Sequence, residues 1–64
     1  MTLCVTKYRQ EQGISMAELS RRSGVSVSTI SDIESGGTEP TLTTLHRLAK
    51  ALNVSIHDLF TCED

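Results

Sequence analysis

The sequence predicts an all-α fold of five short helices. Three observations carry that prediction. Apolar residues recur at helical spacing, a Ser or Thr precedes each of the last four periodic segments, and a Gly or Asn follows each of the first four. The middle of the chain is the most informative part. Ile14, Ala17 and Leu19 supply apolar contacts before Gly24, and Val25, Ile30 and Ile33 supply them after it. Gly24 falls where a tight turn between two steeply crossed helices needs a backbone without Cβ. The small residues Ala17 and Ser20 fall where the second helix of the pair would cross the first. The layout is a helix-turn-helix.

Each element follows from its caps. The first helix is predicted from about Thr2 to Gln12, with Leu3, Cys4, Val5 and Tyr8 as its apolar face and Gly13 as the residue after its C-cap. Ser15 caps the second, and Glu18 three positions on completes a capping-box pattern. This helix ends near Ser23. Ser26 caps the third, which carries Ile30 and Ile33 inward and stops at Gly36-Gly37. After the loop Thr38-Glu39-Pro40, Thr41 caps a fourth helix in which Leu42, Leu45, Leu48, Ala49 and Leu52 repeat at helical spacing. Asn53 ends it, and Ser55 caps a fifth in which Ile56, Leu59 and Phe60 close the core. Residues 61–64 form a polar stub. One domain spans 1–64, with the helix-turn-helix at about 16–35.

Size and composition exclude several classes. A core this small stabilises a fold by only about 3–5 kcal/mol. No apolar run reaches the ~18 residues of a membrane span, and no basic-then-apolar leader opens the chain, so a cytoplasmic location is expected. Cys4 and Cys62 are then expected as reduced, small hydrophobes, although a last helix packed on the first would bring them close. Neither has metal-ligand spacing with His46 or His57. No nucleophile–base set, paired carboxylates or phosphate-binding Gly loop is present, so neither an enzyme nor a cofactor, metal or small-molecule ligand is expected. The net charge of −2 is awkward for a nucleic-acid binder, which gains affinity by neutralising phosphates.

In order along the chain stand G-I-S at 13–15, A-E-L-S at 17–20, S-G-V-S at 23–26, S-T-I-S-D-I-E-S-G at 28–36 and P-T-L-T-T-L-H-R-L-A-K-A-L-N-V-S at 40–55. With these motifs the chain resembles the phage-repressor-like helix-turn-helix family, the Xre (Cro/C1-type) regulators, over about residues 3–60. The resemblance implies a five-helix, lambda-repressor-like domain that lays its third helix in the major groove. It implies base-facing roles for Ser26, Val27, Ser28 and Asp32, and phosphate or peripheral contacts for Thr29, Ser31 and Ser35. It also implies backbone contacts from Ser15 and Met16 at the start of the second helix and from Thr38 and Thr41 at the entry to the fourth. Helix N-termini suit phosphate without any Lys or Arg, because their first amides are unpaired. The family often pairs an Arg in the first helix with a Glu at the end of the third. Arg9 and Glu34 are expected to make that structural ion pair, in preference to a DNA contact by Arg9.

The chain departs from its relatives at three of these positions. Met16 replaces a phosphate-reaching Gln, Val27 a frequent Arg, Lys or Gln, and Asp32 a frequent Arg or Gln, so the reading helix carries no cation. Its hydroxyls, an apolar Val27 suited to a thymine methyl and an Asp32 suited to cytosine N4 predict weak, salt-sensitive reading of duplex DNA. Arg21, Arg22, Arg47 and Lys50 are as readily solvated faces as phosphate contacts. Dimerisation on a two-fold site is expected, either through Ile56, Leu59 and Phe60 or only on DNA. A protein-interaction module of antitoxin or anti-repressor type, using the same face, is the alternative.

Overall fold

A computed structural model describes residues 3–61. Five helices follow one another as α1 (Val5–Glu11), α2 (Met16–Ser23), α3 (Val27–Ser35), α4 (Leu42–Leu52) and α5 (Ile56–Phe60). α2 packs on both α3 and α4, α1 rests on α3 and α4, and α5 closes against α4, all within 26 × 23 × 19 Å. The side chains at the centre are Val5, Leu19, Ile30, Leu48, Leu52 and Leu59, all fully buried. One residue or more from each helix therefore meets in a single core.

The caps dictate the boundaries. Ser15, Ser26, Thr41 and Ser55 each hold extended backbone, and each side-chain oxygen accepts from the amide three residues on. Gly24 and Gly36 end α2 and α3 in the left-handed region at φ 77° and 81°, and Asn53 ends α4 the same way at φ 59°. At Gly24 the backbone angle is the constraint, since an added Cβ would meet only Arg47 Nη1, at 3.8 Å.

Five expectations need correction. α1 starts at Val5 rather than Thr2: Leu3 and Cys4 are non-helical, Cys4 offers no side-chain cap, and its amide instead donates to the Leu59 carbonyl at 3.0 Å. Thr2 itself, Cys62 and the rest of the expected stub after Thr61 lie outside the described residues. Cys4, 8% exposed, carries a disulfide rather than the expected free thiol. Ala17 is exposed, because the inward face of α2 runs through Met16, Leu19, Ser20 and Ser23. Leu42 is 70% exposed: as the first residue of α4 its side chain leans back beyond the end of the core. Glu18 does not complete a capping box, since both its oxygens go to arginines. The reciprocal box forms at Ser55 and Asp58 instead.

Candidate nucleic-acid interface

α3 presents one continuous outward strip. Val27, Ser28, Ser31, Asp32 and Ser35 are exposed at the spacing of one helical face, while Ile30 and Ile33 anchor the opposite side. Val27, 43% exposed, is a large apolar side chain left in water at the first turn. The hydroxyls of this helix divide into two groups. Ser26 Oγ accepts from the Thr29 amide at 3.2 Å and donates to Thr29 Oγ1 at 2.8 Å, and Ser35 Oγ donates to the Asp32 carbonyl at 3.1 Å. These three side chains serve the helix ends. Ser28, Ser31 and the Asp32 carboxylate make no hydrogen bond among the described residues, so their capacity is unspent.

The flanking positions differ in kind. Ser15 and Thr41 are exposed, but their hydroxyls are occupied as caps, to the Glu18 amide at 3.0 Å and the Thr44 amide at 3.2 Å. Capping satisfies one amide per helix start and leaves the earlier amides of that turn pointing out along the axis. Met16 is half-buried against the core, which explains how an apolar residue is accommodated at the first position of α2. Thr38 is exposed in the loop before α4.

Arg9 and Glu34 meet in a two-pronged pair. Nε donates to Oε2 at 2.9 Å and Nη2 to Oε1 at 3.1 Å, with side chains only 13% and 7% exposed. The third prong, Nη1, donates to the Ile14 carbonyl at 3.0 Å. One guanidinium thus ties α1 to the end of α3 and to the loop that leads into α2. The hydrogen bond to Glu34 raises the pKa of Arg9, against a smaller opposing effect of burial.

α2 carries an acidic residue in its first turn, Glu18, and two basic ones in its last, Arg21 and Arg22. Glu18 accepts from Arg22 Nε at 2.8 Å and from Arg21 Nη2, and these bonds, Arg22 first, hold its carboxyl below the usual range. No local pattern points to Gln12, whose side-chain amide donates to the Leu52 carbonyl at 2.6 Å and ties the end of α1 to the end of α4. Such a contact is long-range. Among the described residues no group of His, Cys, Asp and Glu could hold a metal ion, and no helix is long and apolar enough to cross a membrane.

The helix-turn-helix family profile matches residues 5–59, from the first residue of α1 to the buried leucine of α5. The chain belongs to the helix-turn-helix family of Xre, Cro and C1-type regulators. Its fold is the lambda-repressor-like one. The solved N-terminal DNA-binding domain of SinR from Bacillus subtilis superposes with a TM-score of 0.83 at 35% identity, over 88% of this chain and 83% of that one. The solution structure of the DNA-binding domain of the P22 C2 repressor gives 0.82 at 36% identity, over 88% and 74%. In sequence, the HTH-type transcriptional regulator DdrOP3 of Deinococcus deserti is 38% identical over 61 residues, which are 92% of this helix-turn-helix chain and 47% of that protein.

Proposed function

We propose that this chain is a sequence-specific DNA-binding transcriptional regulator that works in the cytoplasm and reads the major groove with α3. One observation carries the reading: the side chains of Ser28, Ser31 and Asp32 stand on an exposed helical face with no hydrogen bond among the described residues, beside an exposed Val27. These are the groups that a base edge would satisfy. Hydroxyls serve any base, Asp32 accepts from cytosine N4, and Val27 packs on a thymine methyl. Ser26, Thr29 and Ser35 have roles within the helix and contribute at the periphery. Phosphates are taken by the first amides of α2, at Ser15 and Met16, and of α4, at Thr41, with Thr38 beside them. Arg9 and Glu34 act by fixing α1 against α3, not by touching DNA. The family likeness to the DNA-binding domains of SinR and the P22 C2 repressor supports the same reading.

The protein acts as a dimer on a two-fold site with half-sites about 34–36 Å apart. The expected patch of Ile56, Leu59 and Phe60 has to be narrowed. Leu59 is fully buried and is not available to a partner, whereas Ile56 is half-buried and Phe60 is 39% exposed. A second reading, a protein-docking module on the same face, is favoured by the absence of any Lys or Arg from α3. Selection of duplexes from a random pool at about 50 mM salt, followed by nuclease footprinting of the winners, tests the choice. A common protected sequence supports DNA reading. Uniform cleavage at saturating, folded protein would overturn it in favour of the docking module.

A further inference from the structure

Half of the chain's six Lys and Arg residues converge away from α3. Arg22, Arg47 and Lys50, with His46, line a groove of about 450 Å³ between the end of α2 and the middle of α4, floored by Ser23 and Ala51. The groove begins over the helix-turn-helix hinge, where Arg47 Nη1 lies 3.8 Å from the position a Cβ on Gly24 would take. Arg22 spends its Nε on Glu18, while its other nitrogens, and the heads of Arg47 and Lys50, make no ion pair among the described residues. Arg47 and Lys50, with no ion pair among the described residues, gather with the Glu18-bound Arg22 in one concavity, and on a chain of net charge −2 they attract anions there.

The groove stands apart from the surface assigned to DNA. Arg22 lies six residues after Met16, and His46 to Lys50 lie five to nine residues after the Thr41 cap, so at ~1.5 Å per residue the groove lies about 7–14 Å along the axes from the helix starts that would face phosphate. We propose that this groove is a docking site for an acidic peptide segment of a partner protein. Its chemistry favours a peptide over a small anion. A small-anion pocket brings buried donors or backbone amides to one point. Here the cationic heads are exposed, sit on long stems and are distributed along two helices, which suits carboxylates spaced along a chain. Serine and alanine at the floor let a main chain approach.

The test is a chemical-shift titration of the isotope-labelled protein, free of DNA, with a synthetic hexaglutamate peptide at about 50 mM salt, where surface charge is least screened. Shifts confined to Arg22, Ser23, His46, Arg47, Lys50 and Ala51 are expected. The variant Arg47→Glu/Lys50→Glu is expected to lose about tenfold or more in peptide affinity while its circular dichroism spectrum and duplex binding persist. Arg47→Gln/Lys50→Gln is the milder pair if charge reversal disturbs folding, and the same tenfold loss is expected of it. Shifts centred on α3 or spread evenly over the surface would overturn the proposal. So would inorganic pyrophosphate reproducing the shifts with equal affinity, or, in a separate competition experiment, a duplex displacing the peptide. Because the titration contains no DNA, its failure leaves the reading of α3 untouched.

Discussion

Replacing Glu34 with Ala probes the contact that fixes α3 in place. The substitution removes both carboxylate oxygens from Arg9 and leaves the guanidinium at a site where only 13% of its side chain is exposed. Arg9 keeps one bond, to the Ile14 carbonyl, and some access to water. The cost should therefore lie at the low end of the range for stranding one member of a buried pair, about 3 kcal/mol. That is most of the ~3–5 kcal/mol available to a domain of this size. A thermal melt followed by far-ultraviolet circular dichroism should shift down by about 12 °C or more, taking about 4–8 °C per kcal/mol for a domain of this length. The double variant Arg9→Met/Glu34→Leu separates a stranded charge from lost packing. With no charge left to strand, it should recover much of the loss. A single variant that melts within about 4 °C of the parent, a loss of under ~1 kcal/mol, would refute the structural role.

Substitutions at four further positions test other links. Gly24→Ala, at φ 77° with only an ordinary contact to Arg47 Nη1 at 3.8 Å for the new methyl, should cost about 1–2 kcal/mol from backbone strain alone, and Gly24→Asn clearly less, as measured by urea unfolding. The lowered carboxyl of Glu18 stabilises the fold above its unfolded pKa, about 4.3, and that stabilisation is lost as pH falls through the folded value. Glu18→Gln should flatten this part of the acid limb of the melting curve, and an unchanged limb would count against the arginine contacts. Ser28→Ala should leave the melt unchanged and weaken specific binding by about 1–3 kcal/mol if its hydroxyl meets a base edge. Its companion Asp32→Asn should raise affinity for random duplex in a gel-shift series.

What could be read from the sequence was what local chemistry encodes. The Ser and Thr caps, the glycines at 24 and 36 and Asn53 set seven boundaries of the last four helices within a residue or two, because each acts on its own turn. The family resemblance supplied Arg9–Glu34, a pair 25 residues apart that no periodicity reveals. The errors fell where the end of an element, not its period, decides burial. Leu42 fits the apolar stripe of α4 but stands beyond the core, and Ala17 fits a composition pattern but faces outward. Glu18 had the spacing of a capping box, yet Arg21 and Arg22 offered it charged donors, which outcompete a backbone amide. The basic groove was invisible because Arg22 and Lys50 are far apart in sequence and meet only once α2 lies on α4.

The distribution of charge follows from this packing. α3 can present an acidic and hydroxylic face because the burial of Ile30 and Ile33, not any ion pair on its outer side, holds it in place. The one charge at its end that does matter for position, Glu34, is turned inward and neutralised by Arg9. Ser28, Ser31 and the Asp32 carboxylate on the outer strip make no side-chain hydrogen bond among the described residues, which leaves them available to a partner outside the protein. A helix held this way discriminates more than it attracts: without cations it gains little from phosphate on any sequence, so a wrong base is not masked by a large non-specific term. On the proposed reading, the affinity it lacks comes from the amides at the starts of α2 and α4 and from a second protomer, neither of which needs a Lys or Arg on the reading face.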